Sequence, residues 1–196
     1  VYREFCYTDE PHFSAMNIPG LEQNVVLIDS VSKRYNLCGA RVGCIISHNK
    51  DVMAAAMKFA QARLCPPVLG QKAAIGALDT PDEYFAAVKE EYIKRRDFMI
   101  EGLNKMEGVF TPLPMGAFYT IAELPVDDTE NFARWMLETF RIDNETTMVT
   151  PAASFYKTPG KGKNHARIAY VLEIEEMRKA LRILEEGLKA YPGRTL

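Results

Sequence analysis

The sequence is poor in the residues that build metal sites, disulfide frameworks and membrane spans. Its 196 residues include four cysteines and three histidines, and the cysteines have neither the CxxC spacing of zinc sites nor the density of a disulfide scaffold. No apolar run approaches the ~20 residues of a membrane span, and the patch 52–57 is soon interrupted by Lys58. We therefore expect no metal site, free thiols in a reducing cytoplasm and no membrane insertion.

The chain also lacks an excess of either charge. The 24 Lys+Arg and 26 Asp+Glu give a formal net charge of -2, and the basic residues are scattered among acidic ones. This excludes a dedicated nucleic-acid binder, which needs a basic surface. The content of 47% hydrophobic residues is that of an ordinary globular protein. Because Val1 reads as part of a strand already under way, we expect a fragment of a longer protein.

Hydrophobic periodicity predicts that strands and helices alternate. The apolar runs 24–29 and 42–47 predict two strands, the first buried on both faces. Residues 80–83, Thr-Pro-Asp-Glu, predict the start of a long helix that reaches about Met106 and connects two domains. The other predicted elements are helices 51–64, 68–78, 129–140 and 174–190 and strands 117–121, 147–150 and 166–171. An α/β architecture follows.

The segment 30–43 carries the residues best suited to chemistry. Ser30 and Ser32 lie three residues and one residue before Lys33. Arg41 follows eight residues after the lysine, and Gly39 and Gly43 lie two residues to either side of it. A neutral lysine is a nucleophile, while hydroxyls and a guanidinium are good phosphate donors. A lysine beside a phosphate site suggests pyridoxal phosphate. Taken alone, Ser-x-Ser-Lys is also compatible with a turn that carries a solvated lysine.

Ser-x-Ser-Lys followed by Gly-x-Arg-x-Gly resembles the cofactor-lysine motif of the class I/II aminotransferases of the aspartate aminotransferase fold. The resemblance covers nearly the whole chain and includes residues 114–119, 151–156 and 166–170. It implies an α/β protein of the pyridoxal-phosphate-dependent transferase fold type I. Residues 1–90 would form the C-terminal part of the large domain, with its mixed or parallel sheet, and residues 91–196 the small α/β domain.

The same resemblance implies roles for five residues at the cofactor. Lys33 would link covalently to the cofactor aldehyde and, once displaced by substrate, move a proton between the substrate Cα and the cofactor carbon. Ser30 and Arg41 would hold the phosphate, with Ser32 as a weaker contributor. Tyr2 resembles the tyrosine that donates a hydrogen bond to the phenolic oxygen of the cofactor.

Arg167 lies in His-Ala-Arg-Ile-Ala-Tyr, which resembles the strand carrying the substrate-binding arginine. Its planar guanidinium can hold a carboxylate through two parallel hydrogen bonds. The implied reaction moves an amino group between an α-amino acid and a 2-oxo acid, with aspartate and 2-oxoglutarate as one candidate pair, in a cytoplasmic homodimer. Two alternatives stay open: a lyase, decarboxylase or synthase of the same fold, or a non-catalytic domain.

The remaining candidates read as structural. His12, His48 and His165 are far apart in sequence and are predicted at the surface or in loops, and Trp135 is predicted to pack in a core with its aromatic neighbours. By resemblance, the aspartate that pairs with the pyridine nitrogen would precede Val1. We therefore expect these 196 residues alone to bind the cofactor weakly and to transaminate negligibly.

Overall fold

The computed structural model describes all residues from Val1 to Leu196. The chain divides into two compact units, which we call the first unit, Val1–Lys89, and the second unit, Glu90–Leu196. The assignment of these regions to parts of a large and a small domain remains a prediction. None of the helices is both long and apolar enough to cross a membrane.

The first unit is built on a two-stranded antiparallel ladder, in which Leu27 lies opposite Ile46 and Ser30 opposite Gly43. A helix of one turn follows the first strand directly, and two longer helices follow the second strand. The elements are β1 (Leu27–Ser30), α1 (Val31–Arg34), β2 (Gly43–Ile46), α2 (Lys50–Arg63) and α3 (Val68–Gly76), with short 3-10 turns at Arg3–Phe5, Ala15–Asn17, Cys38–Ala40 and Ala77–Asp79.

The ladder corrects one expectation, because β1 is not buried on both faces. The side chain of Ile28 is 71% exposed and that of Ile45 on β2 is 45% exposed. A strand is buried on both faces only when neighbouring strands and a layer on each side cover it. This sheet consists of β1 and β2 alone. The apolar run therefore predicts the strand correctly but not its surroundings.

Local capping explains where α2 begins and ends. The Asn49 side chain accepts hydrogen bonds from the backbone amides of Asp51 and Val52, which satisfies two of the unpaired donors of the first turn. Leu64 follows the last residue in a positive-φ conformation (72°), so the helical path ends there. The sequence-predicted helix 51–64 is thus confirmed to within one residue at each end.

The long helix α4 spans Asp82–Asn104 and contains the boundary between the units. It begins beside the predicted start, and the Thr80 hydroxyl donates to the Ala77 carbonyl at 2.7 Å. Its C-terminal half carries the buried residues Met99, Ile100 and Leu103.

The second unit is a three-stranded antiparallel sheet packed with helices. The strands are β3 (Tyr119–Glu123), β4 (Thr150–Pro151) and β5 (His165–Ala169) in the order β3-β5-β4, and the helices are the end of α4 with α5 (Thr129–Glu138) and α6 (Ile174–Ala190). Burial alternates along β3 and β5, so one face of the sheet enters the core and the other faces outward. The core residues from sheet and helices include Ala122, Ala166, Ile168, Leu103, Phe132, Met136, Met177, Leu181, Leu184 and Leu188.

The predicted core role of Trp135 is confirmed. Its ring stacks on Phe140 at a centroid distance of 5.1 Å and lies 6.5 Å from that of Phe132, which is fully buried. Helix 174–190 is also confirmed, and Met177, Leu181, Leu184 and Leu188, which lie at spacings of three and four, are buried in the core. The predicted strand 147–150 is displaced, because only Thr150 and Pro151 pair with β5.

Candidate functional site

The predicted lysine lies in a tight corner between β1 and α1. Ser30 ends the strand in an extended conformation and caps the helix, because its Oγ accepts a hydrogen bond from the Ser32 amide at 3.1 Å. The Oγ atoms of Ser30 and Ser32 lie 2.7 Å apart. The Ser30 Oγ also lies 3.1 Å from the Val42 carbonyl, to which it can donate. Two hydroxyls are therefore held side by side at the start of the turn that carries Lys33.

Lys33 is half-buried near the end of α1. Its carbonyl accepts a hydrogen bond from the Asn36 amide at 3.3 Å, and the Val31 carbonyl accepts one from Tyr35 at the same distance. These two bonds close the short helix, since a single turn has no longer hydrogen-bond ladder to maintain it. The backbone thereby fixes the position of the lysine relative to the two serines.

Arg41 lies just before β2, on the return path of the chain. It adopts a left-handed conformation (φ 55°), and its exposed guanidinium donates to the Cys38 carbonyl at 2.7 Å. The carbonyl of the next residue, Val42, accepts a hydrogen bond from the Val31 amide at 3.3 Å. This bond holds the backbone beside Arg41 against the turn that carries Lys33. No carboxylate forms an ion pair with Arg41.

Two glycines allow the segments around Arg41 to approach closely. A Cβ on Gly43 would lie 2.7 Å from the Asp29 carbonyl oxygen, so this position in the β1–β2 ladder has no room for a side chain. A Cβ on Gly70 would overlap the carbonyl oxygen of Ala40, where α3 packs on the loop that leads to Arg41. The close approach of backbone that glycine permits is thus used on both sides of this loop.

Tyr2 is partly buried at the start of the first unit, and its ring makes an edge contact with Phe5 at 6.4 Å between centroids. The neighbouring residue, Arg3, donates from Nη1 to Asp29 Oδ2 at 2.5 Å. Asp29 directly precedes Ser30, so this ion pair joins the Tyr2 segment to the lysine corner. All five residues that were predicted at the cofactor lie in the first unit.

The electrostatics of this corner centre on Asp29. Burial alone would raise the pKa of its carboxyl, but the hydrogen bonds from Arg3 and from the Ser30 amide outweigh burial, and the pKa falls below its usual value. The same hydrogen bond raises the pKa of Arg3. Both groups are consequently charged at neutral pH.

Arg167 belongs to the second unit, where it lies on the central strand β5 opposite Ile121 of β3 and Thr150 of β4. It points from the outward face of the sheet, and its side chain is exposed. The guanidinium carbon lies 5.6 Å from the ring centroid of Tyr119 and 5.2 Å from that of Phe155. These are cation–π distances, and Arg167 forms no ion pair in this chain.

Two aromatic residues beside Arg167 were not anticipated from the sequence. Tyr119 and Phe155 lie inside segments that were noted for their resemblance, yet their position beside Arg167 was not predicted. The alternation of side chains along a strand could have placed Tyr119 on the outward face, since it lies opposite Ala169, two residues after Arg167. The position of Phe155 beside Arg167 could not be predicted from neighbouring residues, because it depends on how the chain folds back onto β5.

The prediction for His165 was wrong. It is not a surface or loop residue but lies partly buried in β5, and its Nδ1 is 2.7 Å from the Tyr156 hydroxyl. This bond, together with the Tyr156 ring packed over Gly162, closes the loop 156–165 on itself. The sequence did not reveal this hydrogen bond, because its two partners are nine residues apart.

The two sites differ in what they can bind. In the first unit, segment 30–43 presents the Lys33 amine, two serine hydroxyls and the exposed Arg41 guanidinium, with no acidic residue in the segment, which suits a ligand with a phosphate and a group that reacts with amines. In the second unit, an exposed guanidinium between two rings suits a carboxylate. No group of three or more His, Cys, Asp or Glu side chains is arranged to hold a metal ion.

Comparisons with known proteins agree on one family. The family of class I and II aminotransferases matches residues 1–184. An aspartate aminotransferase of Rhizobium meliloti is 27% identical over 183 residues, which are 87% of this chain and 42% of the relative. An LL-diaminopimelate aminotransferase of Natranaerobius thermophilus is 29% identical over 184 residues, 92% of this chain and 45% of the relative.

The fold is shared with solved structures of such enzymes. The crystal structure of an aromatic aminotransferase from Pyrococcus horikoshii superimposes with a TM-score of 0.82 at 28% identity, covering 96% of this chain and 49% of that one. The chain thus spans about half the length of the relatives it matches. Because the family match extends over most of the sequence and the folds agree, the chain belongs to the class I and II aminotransferases, with the architecture of fold type I.

Proposed function

We propose that the protein is a pyridoxal-phosphate-dependent aminotransferase that moves an amino group between an α-amino acid and a 2-oxo acid. The observation that carries the proposal is the corner at Ser30–Arg34, in which an amine and two hydroxyls share one turn beside the backbone of the Arg41 loop. The whole protein is proposed to act as a cytoplasmic homodimer on small molecules.

The residues of this corner fit the cofactor chemically. A phosphate needs several hydrogen-bond donors and positive charge, and the two serine hydroxyls, 2.7 Å apart, offer the first. Arg41 offers the second, because its guanidinium is exposed and donates to a neutral carbonyl, that of Cys38, rather than to an acid. When bound, pyridoxal phosphate supplies an aldehyde for the lysine and a ring that withdraws electrons from the substrate Cα.

The chain's own residues then have distinct tasks. Lys33 Nζ would hold the cofactor covalently, and as a free amine it would carry the proton removed from the substrate Cα. Ser30 and Arg41 orient the phosphate, with Ser32 assisting. Tyr2 donates its hydroxyl proton in a hydrogen bond to the phenolic oxygen, which favours the ionised form of that oxygen.

Arg167 orients the substrate by binding its α-carboxylate. The rings of Tyr119 and Phe155 flank the guanidinium and restrict the directions in which its planar set of donors can point. Holding a reactant in one orientation removes much of the entropic cost of reaction. A carboxylate is the group that amino acids and 2-oxo acids share, so one arginine serves both halves of the transfer.

The nature of the substrate side chain is a finer proposal. Relatives are named for aspartate, LL-diaminopimelate and aromatic substrates, and we propose the pair aspartate and 2-oxoglutarate because aspartate is the name that recurs among the relatives. The alternatives of a lyase, decarboxylase, synthase or non-catalytic domain are not favoured, since the relatives are named as aminotransferases.

The first experiment traps the cofactor on its lysine. The whole protein is incubated with pyridoxal phosphate, reduced with borohydride and mapped by peptide mass spectrometry. We expect a single modified lysine, Lys33, whose modification is abolished in Lys33→Ala and retained in Lys161→Ala, an exposed lysine of the second unit. A modification elsewhere, or none, would overturn the proposal.

The second experiment tests reaction and substrate binding together. With aspartate and 2-oxoglutarate, the whole protein should form the new amino acid and the new 2-oxo acid in equal amounts, whereas a lyase or decarboxylase would not. Arg167→Lys should lower kcat/KM by about 10²-fold, because the two parallel charged hydrogen bonds are lost. Arg178→Lys, an exposed arginine on α6, is the matched control and should change kcat/KM less than about twofold.

A further inference from the structure

Four charged side chains form two ion pairs that join residues 3 and 4 to the turn around Lys33. Arg3 Nη1 lies 2.5 Å from Asp29 Oδ2, and Arg34 Nε lies 3.2 Å from Glu4 Oε1. Arg3 Nε is also 3.8 Å from Glu4 Oε1, which links the two pairs. The side chains of Asp29 and Glu4 are only 16% and 23% exposed, so water screens the pairs less than it screens a fully exposed ion pair.

The four ion-paired residues are close neighbours in sequence of the residues proposed to bind the cofactor. Arg3 and Glu4 directly follow Tyr2, Asp29 directly precedes Ser30, and Arg34 directly follows Lys33. The two ion pairs therefore attach the residues after the tyrosine to both ends of the turn that holds the lysine. Partly exposed ion pairs contribute little to stability, so a role for this arrangement is better sought in the geometry it imposes.

Further contacts reduce the freedom of both ends of the network. Asp29 Oδ1 accepts the Ser30 amide at 2.8 Å, so the carboxylate that binds Arg3 also orients the first residue of the lysine corner. At the other end, the Arg34 guanidinium carbon lies 4.9 Å from the Phe85 ring centroid and 5.3 Å from that of Tyr35. A carboxylate with two hydrogen-bond donors and a guanidinium beside two rings have few alternative arrangements.

We propose that Arg3, Glu4, Asp29 and Arg34 are positioning residues that hold Tyr2 and Lys33 at the separation needed to act on one cofactor. This inference rests on the proposed function. The residues act through their neighbours: the Arg3–Asp29 pair sets Tyr2 against the Ser30 end of the turn, and the Glu4–Arg34 pair sets it against the Lys33 end. Small displacements of a reacting group have large effects on rate.

The mechanism of this effect predicts a spectroscopic result. A hydrogen bond from Tyr2 stabilises the ionised phenolic oxygen of the bound cofactor, and its loss raises the pH at which the absorbance of that cofactor changes. Displacing Tyr2 should have part of the same effect. Asp29→Asn keeps the size of the side chain and an acceptor for the Ser30 amide but removes the charge that holds Arg3.

The experiment is an epistasis test in the whole protein loaded with pyridoxal phosphate. We expect Asp29→Asn to raise the pH of the absorbance transition by about half a unit or more, and to lower kcat about tenfold while KM for the amino acid changes less than about twofold. In a Tyr2→Phe background, Asp29→Asn should produce no further shift of the transition. Arg3→Gln should behave as Asp29→Asn does, and the double variant should be no worse than either single variant.

Controls separate positioning from folding and from the proposed function itself. Asp143→Asn breaks the exposed pair with Arg182 in the second unit and should leave the transition unchanged. Asp29→Glu, which keeps the charge, should restore most of the wild-type transition. If Asp29→Asn leaves the transition in place, or shifts it equally in the Tyr2→Phe background, the positioning role is overturned. If the wild-type protein takes up no cofactor on Lys33, the proposed function fails instead.

Discussion

The two units differ in how they are held together, although each carries candidate site residues. Every buried apolar side chain except Phe5 belongs to the second unit. The large exposed apolar side chains of the first unit include Phe13, Ile28, Met57, Phe59, Leu64, Leu69, Ile75 and Leu78. Since burial of apolar surface is the dominant stabilising contribution to folding, the second unit has a core of its own and the first has almost none.

Within these 196 residues, which span about half the length of the relatives, the two groups of candidate site residues lie in units with very different amounts of buried apolar surface. The corner with Lys33 lies in the unit with almost no core, where short hydrogen bonds and ion pairs define the geometry. Arg167 lies on the central strand of the well-packed unit. The positions of the lysine-corner residues should therefore depend on local polar contacts, and that of Arg167 on the core behind its sheet.

The largest expected consequence concerns backbone protection. Regions without a core open at little cost in free energy, so amides of β1 and β2 should exchange with solvent at least about 10²-fold faster than those of β5 and α6. Hydrogen exchange followed by mass spectrometry of the 196-residue chain measures both units at once. Equal protection of β1 and β5 would contradict the comparison.

A matched pair of leucines should separate the units in free energy of unfolding. Leu103 on α4 is fully buried in the second unit, whereas Leu69 on α3 is 82% exposed in the first. Leu103→Ala should lower the free energy of unfolding by about 2–5 kcal/mol, and Leu69→Ala by about 0.5 kcal/mol or less. Urea unfolding followed by circular dichroism tests this, and similar costs for the two variants would show that the first unit has a core after all.

Two glycines of α3 test the packing inside the first unit. Gly70→Ala should destabilise the chain by about 1–3 kcal/mol, because the new methyl group would overlap the Ala40 carbonyl. Gly76→Ala should stabilise it by about 0.5–1 kcal/mol, since nothing lies within 4 Å of its Cβ position and alanine favours a helix. Thermal unfolding measures both, and a stabilising Gly70→Ala would mean that α3 does not pack on the Arg41 loop.

The smallest expected effect is on the pH dependence of stability, which should decline at alkaline pH because of the second unit and at acidic pH because of the first. In the second unit, burial and the hydrogen bond to Asp127 raise the pKa of Tyr191 from 10.0 to about 12. Its contribution to stability is therefore complete below pH 10 and is lost as the pH rises through about 12. Tyr191→Phe should remove this part of the alkaline decline at a cost of about 1 kcal/mol at neutral pH.

The first unit should respond at the acidic end instead. The pKa of Asp29 lies below the ordinary 3.8, so its contribution is present above that value and is lost as the pH falls through the lower pKa of the folded state. Urea midpoints measured across the pH range for Tyr191→Phe and Asp29→Asn should separate the two limbs. An unchanged alkaline limb in Tyr191→Phe would exclude the tyrosine as its source.

Features that depend on neighbours in sequence were predictable. The spacing of apolar residues gave helix α6 its correct bounds, and the Thr-Pro-Asp-Glu segment at 80–83 correctly indicated where α4 begins, because hydrogen bonds and periodicity within a segment decide these elements. The fold type was predicted by resemblance and is confirmed by the solved structures. The roles of the six predicted site residues remain predictions.

Contacts between distant residues decided the rest. Arg3 and Asp29 are 26 residues apart, and Phe155 reaches Arg167 only because β5 returns beside it. The apolar pattern of β1 does not reveal whether its side chains are buried, since their exposure depends on the layers that pack around the strand. The sequence by itself thus determined most of the helices and strands and singled out the residues that are proposed for the chemistry. Only the tertiary structure decided what surrounds them, because side chains brought together across long loops leave no local pattern.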